Sequence, residues 1–286
     1  MFAGSYRGFD AHVEDPGIGV ITFNQPERLN GFTHHAKRDL VEVLTQAQMD
    51  HGIRVVVITG SGRAFSAGDD ITGRPVSSDG EAAVPDIPRG HDNPIGTYEG
   101  LRVLSQTLNE AVRKLDKLTI AAVNGVAIQT GLSLALSCDF RVASTEARLG
   151  SGTLRFGLLP DEGAQYLVVQ HIGVAKAMDF FMRNRILPAS EAHELGLVHE
   201  VVEPDQLMPR TMELAKELAE GPQVAMRLLK TTIYNAADMT WPQALDDIAG
   251  KTAISDHHPD AREGVAAFRE KRKPGFNAWL EEHRQG

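Results

Sequence analysis

The stretch TIAAVNGVAIQTGLSLALSCD, residues 119–139, decides the fold. Residues 120–123 form a β-type run, Asn124-Gly125 is a turn, and residues 126–128 form a second short apolar run. A helix that is apolar almost all round follows at 132–136, without a polar spacer. Because a helix with no polar face must be buried, this segment predicts a strand, a turn and a helix in the interior.

The start of this buried helix, near Thr130-Gly131, is a candidate binding site. The first amides of a helix have no partner within the helix, and the positive end of the helix dipole lies there. A buried end of this kind requires a polar or anionic partner. An oxygen atom of a small molecule is the simplest candidate.

Strands and helices alternate on both sides of this stretch, which predicts an α/β core. We expect strands at 18–23, 55–59, 140–143 and 198–202, and helices at 34–49, 101–115, 163–172, 175–182 and 190–195. Residues 72–96 are rich in Pro, Gly, Asp and Ser and predict a long loop. Beyond Pro204 only helical patterns occur, at 206–220, 222–236, 242–254 and 259–271. The predicted domains are therefore a core at 1–204 and a helical region at 205–286.

Composition narrows the class of protein. The chain has 286 residues, of which 42% are hydrophobic and 23% charged, and a net charge of −9 that argues against a nucleic-acid surface. A single cysteine fits a reducing compartment, and neither a signal peptide nor a membrane-spanning run is visible. The histidines at 257 and 258 have no further ligands at suitable spacing, so we expect no metal site. These features predict a soluble cytoplasmic protein.

Several collinear motifs resemble those of the enoyl-CoA hydratase/isomerase (crotonase) superfamily. They are PERLNGF at 26–32, VVVITGSGRAFSAGDDI at 55–71, AAVNGVAIQTGLSLALSCDFRVAS at 121–144, LGSGTLRFGLLPDEGAQYL at 149–167, LGLVHEVV at 195–202 and AFREKRKPGF at 267–276. The resemblance implies a spiral of ββα turns followed by a helical trimerisation region. It also implies a homotrimer or a dimer of trimers. The substrate would be an acyl-CoA thioester, with coenzyme A as part of the substrate and no separate cofactor.

The resemblance also assigns roles to particular residues. In the family, two backbone amides hold the thioester oxygen in an oxyanion hole, and the matching positions here are Ala67 and Thr130. The contacts to coenzyme A would come from positions in the first, second and last motifs, namely Arg28, Gly31, Ala67, Gly68, Asp69, Asp70 and Lys271.

Two departures from the family pattern bear on the chemistry. The glutamates that activate water in the hydratases align with Ser133 and Thr153, and neither hydroxyl is a general base unaided near neutral pH. Asp161 stands where family members that isomerise double bonds, hydrolyse hydroxyacyl-CoA or displace aryl halide carry an acid. Glu162 matches the acid of a subgroup that hydrolyses carbon–carbon bonds. Asp161, or failing that Glu162, is the predicted base or nucleophile.

Three functions remain open at this point. The first is proton transfer through an enolate, which means double-bond isomerisation or a related hydrolysis. The second is hydration of an enoyl-CoA by non-standard acid and base residues. The third is acyl-CoA binding without catalysis.

Overall fold

The computed structural model describes residues 2–70, 80–87, 90 and 92–282. The strands are β1 Gly4–Tyr6, β2 Phe9–Glu14, β3 Ile18–Phe23, β4 Val55–Gly60, β5 Ala64–Ser66, β6 Leu118–Val123, β7 Val126–Ile128, β8 Phe140–Ser144, β9 Arg148–Gly150, β10 Ile186–Pro188 and β11 Glu200–Val202. The helices are α1 His34–Met49, α2 Pro94–Gly100, α3 Gln106–Lys114, α4 Thr130–Ser137, α5 Ala164–Met182, α6 Ala189–Glu194, α7 Leu207–Glu220, α8 Gln223–Ala236, α9 Trp241–Asp256, α10 Pro259–Glu270 and α11 Trp279–Glu282.

Two sheets organise the described chain. The larger has the strand order β1-β2-β3-β4-β6-β8-β11, and the smaller has the order β10-β9-β7-β5. Strands β3, β4, β6, β8 and β11 run parallel, whereas the N-terminal strands β1 and β2 pair antiparallel. The predicted α/β class is therefore confirmed. In each of the strand pairs β4-β5 and β6-β7, the first strand belongs to the larger sheet and the second to the smaller one.

The opening stretch folds as its pattern predicts. All six residues of β6 and all eight residues of α4 are buried. Helix α4 starts directly after β7, with Gln129 as its N-terminal cap residue and no side chain capping its amides. The buried helix start that the sequence predicts is present.

Other predictions needed correction. Strands β1 and β2 were not predicted, although Phe9, Ala11 and Val13 alternate with polar residues as a strand requires. The helix predicted at 101–115 begins earlier, at Pro94, and passes through a π-helical turn at Leu101–Ser105. Residues 72–79, 88–89 and 91 of the loop predicted at 72–96 lie outside the described residues, and the end of the predicted loop is the start of α2.

The predicted boundary at 204 does not separate two cores. Helix α7 buries Leu207, Ala215 and Ala219 in one hydrophobic cluster with the strand residues Val20 and Val57. This helix covers the face of the large sheet opposite α1, so it belongs to the core by packing. No helix in the described part of the chain is long and apolar enough to cross a membrane.

Candidate active site

Two glycines bring the end of β5 against the start of α4. Gly68 has a φ of +98°, and a Cβ atom there would lie 2.8 Å from the Cβ of Gln129. A Cβ on Gly131 would lie only 2.2 Å from the carbonyl oxygen of Ser66. Such distances are far inside van der Waals contact, so only glycine permits this approach. The turn at 67–69 and the helix start at 129–131, which are about sixty residues apart in sequence, thus form one site.

The hydrogen bonds that the turn at 67–70 makes with other segments decide which of its amides could bind a ligand. The Ala67 amide donates to Leu29 O at 2.9 Å, the Gly68 amide donates to Ser66 Oγ at 3.2 Å, and the Asp70 amide donates to Phe32 O at 2.9 Å. The Asp69 amide has no acceptor among the described residues. Because Gly68 O and Asp70 N both face Phe32, the Asp69 amide points to the opposite side of the segment.

The prediction that Ala67 supplies a free amide is therefore wrong. Its N–H group is already engaged by Leu29, and the available donor lies two residues further on, at Asp69. The prediction for Thr130 is consistent with the geometry, because its amide also has no acceptor within the described chain and lies in the first turn of α4. The side chains confirm that the two residues are neighbours, since Thr130 Oγ1 donates to Asp69 Oδ1 at 2.8 Å.

A buried lysine, Lys37, is the centre of the charged groups at the site. Its Nζ atom lies 2.6 Å from Asp69 Oδ1, 2.5 Å from Glu162 Oε1 and 2.9 Å from Ser105 Oγ. Lys37 and Glu162 are almost fully buried, with 1% and 4% of their surfaces exposed. Burial lowers the pKa of Lys37, but the Glu162 and Asp69 carboxylates together raise it above its ordinary value. The lysine is therefore a cation held by two carboxylates.

The two predicted acids, Asp161 and Glu162, occupy different environments. Glu162 points inward to Lys37, and burial raises its pKa while the lysine charge opposes that rise. Asp161 is exposed on the loop before α5, with no salt bridge among the described residues. Partial desolvation of its carboxyl group, followed by the Asp69 charge, raises the pKa of Asp161. Its carbonyl oxygen accepts a 3.1 Å hydrogen bond from Gln106 Nε2 in α3, which anchors the loop.

The positions of the two missing glutamates lie beside Gln129. Ser133 is buried, and its hydroxyl donates to Gln129 O at 3.1 Å. Thr153 Oγ1 lies 3.3 Å from Ser151 Oγ, which in turn donates to Gln129 Oε1 at 3.1 Å. The Ser133 and Ser151 hydroxyls thus bond to Gln129, and Thr153 bonds to Ser151. Within the described part of the chain, none of these hydroxyls contacts a histidine or carboxylate that could activate it.

The predicted contacts to coenzyme A are only partly brought together. Arg28 forms a salt bridge with Asp70, and a Cβ on Gly31 would lie 3.3 Å from Asp70 Cβ, so these three residues cluster behind the turn. Lys271 is exposed at the end of α10, and no hydrogen bond or salt bridge joins it to this cluster within the described chain. Its contact with coenzyme A stays a prediction. No group of three or more His, Cys, Asp or Glu residues in the described part is placed to hold a metal ion.

Comparisons with known proteins agree with this architecture. The family model described as enoyl-CoA hydratase/isomerase matches residues 14–279. The chain is 36% identical over 269 residues to the 1,2-epoxyphenylacetyl-CoA isomerase of Escherichia coli (strain K12), covering 93% of this chain and 97% of that protein.

Solved structures give the same result. A crystal structure of an enoyl-CoA hydratase from Bacillus anthracis superimposes with a TM-score of 0.84 at 30% identity, over 94% of this chain and 98% of the other. An enoyl-CoA hydratase from Mycobacterium smegmatis gives a TM-score of 0.83 at 26% identity, over 93% and 98% of the two chains.

Proposed function

The chain belongs to the enoyl-CoA hydratase/isomerase family and is an enzyme of that family, and on this basis we propose that it isomerises an acyl-CoA thioester through an enolate. Asp161 removes a proton from the carbon next to the thioester. The amides of Asp69 and Thr130 hold the thioester oxygen. Asp161 then returns the proton at a different carbon, so that a double bond moves and no atom is gained or lost.

One observation carries the proposal: the Asp69 and Thr130 amides, which have no acceptor among the described residues, belong to neighbouring residues, because Thr130 Oγ1 donates to Asp69 Oδ1 at 2.8 Å. The Asp69 charge also acts on the carboxyl group of Asp161. When the α-proton leaves, its electron pair moves to the thioester oxygen, which becomes negatively charged. Preorganised donors stabilise that charge, and loss of one such donor typically costs about 3 kcal/mol in the transition state. The helix dipole of α4 adds to the stabilisation, since its positive end lies at Thr130.

Asp161 suits the role of base better than Glu162. A general base must reach the substrate and must be unprotonated when the substrate binds. Glu162 is buried and forms an ion pair with Lys37, whereas Asp161 is exposed. The raised pKa of Asp161 makes it a stronger base than an ordinary aspartate.

The absent glutamates disfavour hydration. Adding water across a double bond needs groups that orient and deprotonate a water molecule, and the residues at those positions, Ser133 and Thr153, are hydrogen-bonded to Gln129 and Ser151. The Escherichia coli relative is named as an isomerase of 1,2-epoxyphenylacetyl-CoA. By analogy, a cyclic acyl group is a substrate class to include in any test.

The test compares turnover of crotonyl-CoA, a 3-enoyl-CoA and a cyclic acyl-CoA by the absorbance of the conjugated thioester. Isomerisation of the 3-enoyl-CoA increases this absorbance, and hydration of crotonyl-CoA decreases it. We expect the wild type to increase the absorbance with the 3-enoyl-CoA. In Asp161→Asn the rate of this increase should be about 10²–10⁴-fold lower, which is the usual contribution of a general base. Asp246→Asn, an exposed acid on α9, is the matched control.

Other results would contradict this proposal. Full activity in Asp161→Asn would exclude Asp161 as the base. Hydration of crotonyl-CoA by the wild type would favour a hydratase with non-standard residues. Tight acyl-CoA binding with no turnover of any of the three thioesters would favour a binding protein.

We also propose that the chain assembles as a homotrimer or a dimer of trimers through its C-terminal helices. Large apolar side chains on three of these helices are exposed in the single chain: Leu229, Ile233, Trp241, Leu245, Val265 and Phe268. An exposed apolar surface of this kind is typical of a protein–protein interface. Light scattering coupled to size exclusion would give the mass directly, and a monomer would contradict the proposal.

A further inference from the structure

We propose that Lys37 is a positioning residue, which fixes the turn that carries the Asp69 amide relative to the loop that carries Asp161. The inference rests on the proposed function, because it assigns these two groups to one reaction. Lys37 does not act on the substrate itself. It acts through the carboxylates of Asp69 and Glu162.

The geometry is that of a complete bridge between three segments. Lys37 is in α1, Asp69 follows β5, and Glu162 precedes α5. The three hydrogens of an ammonium group have three acceptors here: Asp69 Oδ2 at 2.9 Å, Glu162 Oε1 at 2.5 Å and Ser105 Oγ at 2.9 Å. Asp69 Oδ1 also lies 2.6 Å from the ammonium nitrogen. Ser105 closes the π-helical turn before α3, and such turns occur frequently at functional sites.

Stability alone does not account for this arrangement. Burying a lysine and a glutamate is expensive, and a buried ion pair is often no more stable than the apolar pair that could replace it. What the pair does supply is a fixed distance. Asp69 itself provides one of the proposed oxyanion-hole amides. Glu162 directly follows Asp161, the proposed base.

The bridge also extends to the second amide. Asp69 accepts from Thr130 Oγ1 through its Oδ1 atom, which faces Lys37 as well. Lys37 therefore holds Asp69, and Asp69 holds the first residue of α4. A shift in the Lys37 ammonium would move both donors relative to the base.

Lys37 also sets the charge around Asp161. In the described chain, the charged groups that act on Asp161 are Lys37 and Asp69, with Glu162 adjacent in sequence. The Asp69 carboxylate raises the pKa of Asp161 and the Lys37 ammonium lowers it. Removing the cation leaves three carboxyl groups without compensation, so the acidic limb of the pH–rate profile should move to higher pH.

Lys117 provides a matched control for Lys37. It is also a fully buried lysine, but it lies directly before β6 and contacts the main-chain oxygens of Ala47 and Asp50 at the end of α1. Both lysines are replaced by methionine, which has a similar length and no charge. Each variant loses a buried lysine amino group, and only Lys37→Met loses the bridge.

The experiment measures kcat, KM and their pH dependence for the wild type and both variants. We expect Lys37→Met to lower kcat by about 100-fold, the cost of misplacing reacting groups by about 1 Å. Its KM should change much less, and the acidic limb of its pH–rate profile should move to higher pH. Lys117→Met should lower the melting temperature but leave kcat and the acidic limb as in the wild type. Equal effects of the two substitutions on kcat and on the limb would overturn the proposal.

A double variant separates bridging from charge balance. Lys37→Met combined with Glu162→Gln removes the cation and one anion together. If Lys37 acts by bridging, the double variant recovers stability but not kcat. Recovery of wild-type kcat would show that charge balance alone matters, and would overturn the proposal.

Amide hydrogen exchange tests the bridge without any turnover. In Lys37→Met, the hydrogen-bonded amides of Ala67, Gly68 and Asp70 should exchange about tenfold faster than in Lys117→Met, because local opening of this turn loses its restraint. Unchanged exchange of these three amides would overturn the proposal. An inactive wild type with the expected exchange pattern would instead count against the proposed function and leave the bridge intact.

Discussion

The hydroxyl of Thr130 donates a 2.8 Å hydrogen bond to Asp69 Oδ1, so a side-chain contact joins the two residues whose amides we propose as donors. The same carboxylate binds Lys37, which leaves Asp69 little freedom to rotate. The main chain at the site is therefore held by side chains from two other segments. Preorganisation of this kind is what a stabilising site for an oxyanion requires.

Replacing Thr130 by valine tests the value of this contact. Thr130→Val keeps the amide and the shape but removes the hydroxyl, and hydrogen bonds to charged groups contribute about 1.5–3 kcal/mol. We expect kcat to fall by about tenfold or more, because the Asp69 turn loses one restraint. Thr130→Ser keeps the hydroxyl and should retain most of the activity. Equal activity of the valine and serine variants would show that the side chain has no such role.

Periodicity and local chemistry were sufficient to predict α4 and its buried start. Its apolar residues face every direction, and only burial accommodates that pattern. The wrong choice of Ala67 has a different origin. Which amide of the 67–70 turn is free depends on its pairing with residues 29–32, and no local pattern contains that pairing.

Lys37 was missed because a lysine in an amphipathic helix is expected to be solvated. Its three partners are 32, 68 and 125 residues away, so no spacing rule connects them. A signal was present nevertheless. Lys37 lies on the same stripe of α1 as the buried residues Leu40 and Leu44, three and seven positions on.

Asn30 is the residue that ties the first motif to the β4-β5 turn. It is buried with a φ of +54°, it accepts from the Gln25 amide at 3.0 Å, and it donates to Ser61 O and Ala64 O at 3.0 and 2.7 Å. Asn30→Ala should lower the free energy of unfolding by about 2–4 kcal/mol, since buried partners lose their hydrogen bonds.

Asn184 is a suitable control for that measurement. It also has a positive φ, of 49°, but its side-chain oxygen has no hydrogen-bond partner among the described residues. Asn184→Ala therefore reports mainly the cost of alanine in a left-handed conformation. If urea denaturation gives the same loss for both variants, the hydrogen bonds of Asn30 contribute nothing.

Acid should destabilise the protein through His171 and His199. Both residues keep exposed surface, but partial desolvation, with the Arg141 charge second, lowers the pKa of each to about 4, below the ordinary value of 6.5. His199 Nδ1 also accepts the Arg141 amide at 3.1 Å, which favours the neutral ring. Between pH 6.5 and 4 the two histidines therefore bind protons in the unfolded chain but not in the folded chain. The free energy of unfolding falls as the pH decreases through this window. Above pH 6.5 the two histidines have no effect.

Thermal denaturation from pH 7 to pH 4 checks this expectation. His199→Gln should reduce the fall in melting temperature, and adding His171→Gln should reduce it further, because each substitution removes one titrating group. Carboxylates also titrate in this range, so only the difference from the wild type is informative. Identical slopes in all three proteins would contradict the assignment.

The approach of β5 to α4 depends on Gly131, and alanine at this position should disrupt the site. The added Cβ would meet Ser66 O, a main-chain atom that cannot rotate away, at 2.2 Å. Helix and turn must separate, which moves the Thr130 amide from the Asp69 amide. We expect the free energy of unfolding to fall by about 1–3 kcal/mol from overpacking, and most activity to be lost.

Gly250→Ala in α9, where no atom lies within 4 Å of the added Cβ, is the control. It should stabilise the protein by about 0.5–1 kcal/mol, since alanine is the better helix former. Activity retained in Gly131→Ala would mean that the two amides need not be held this close.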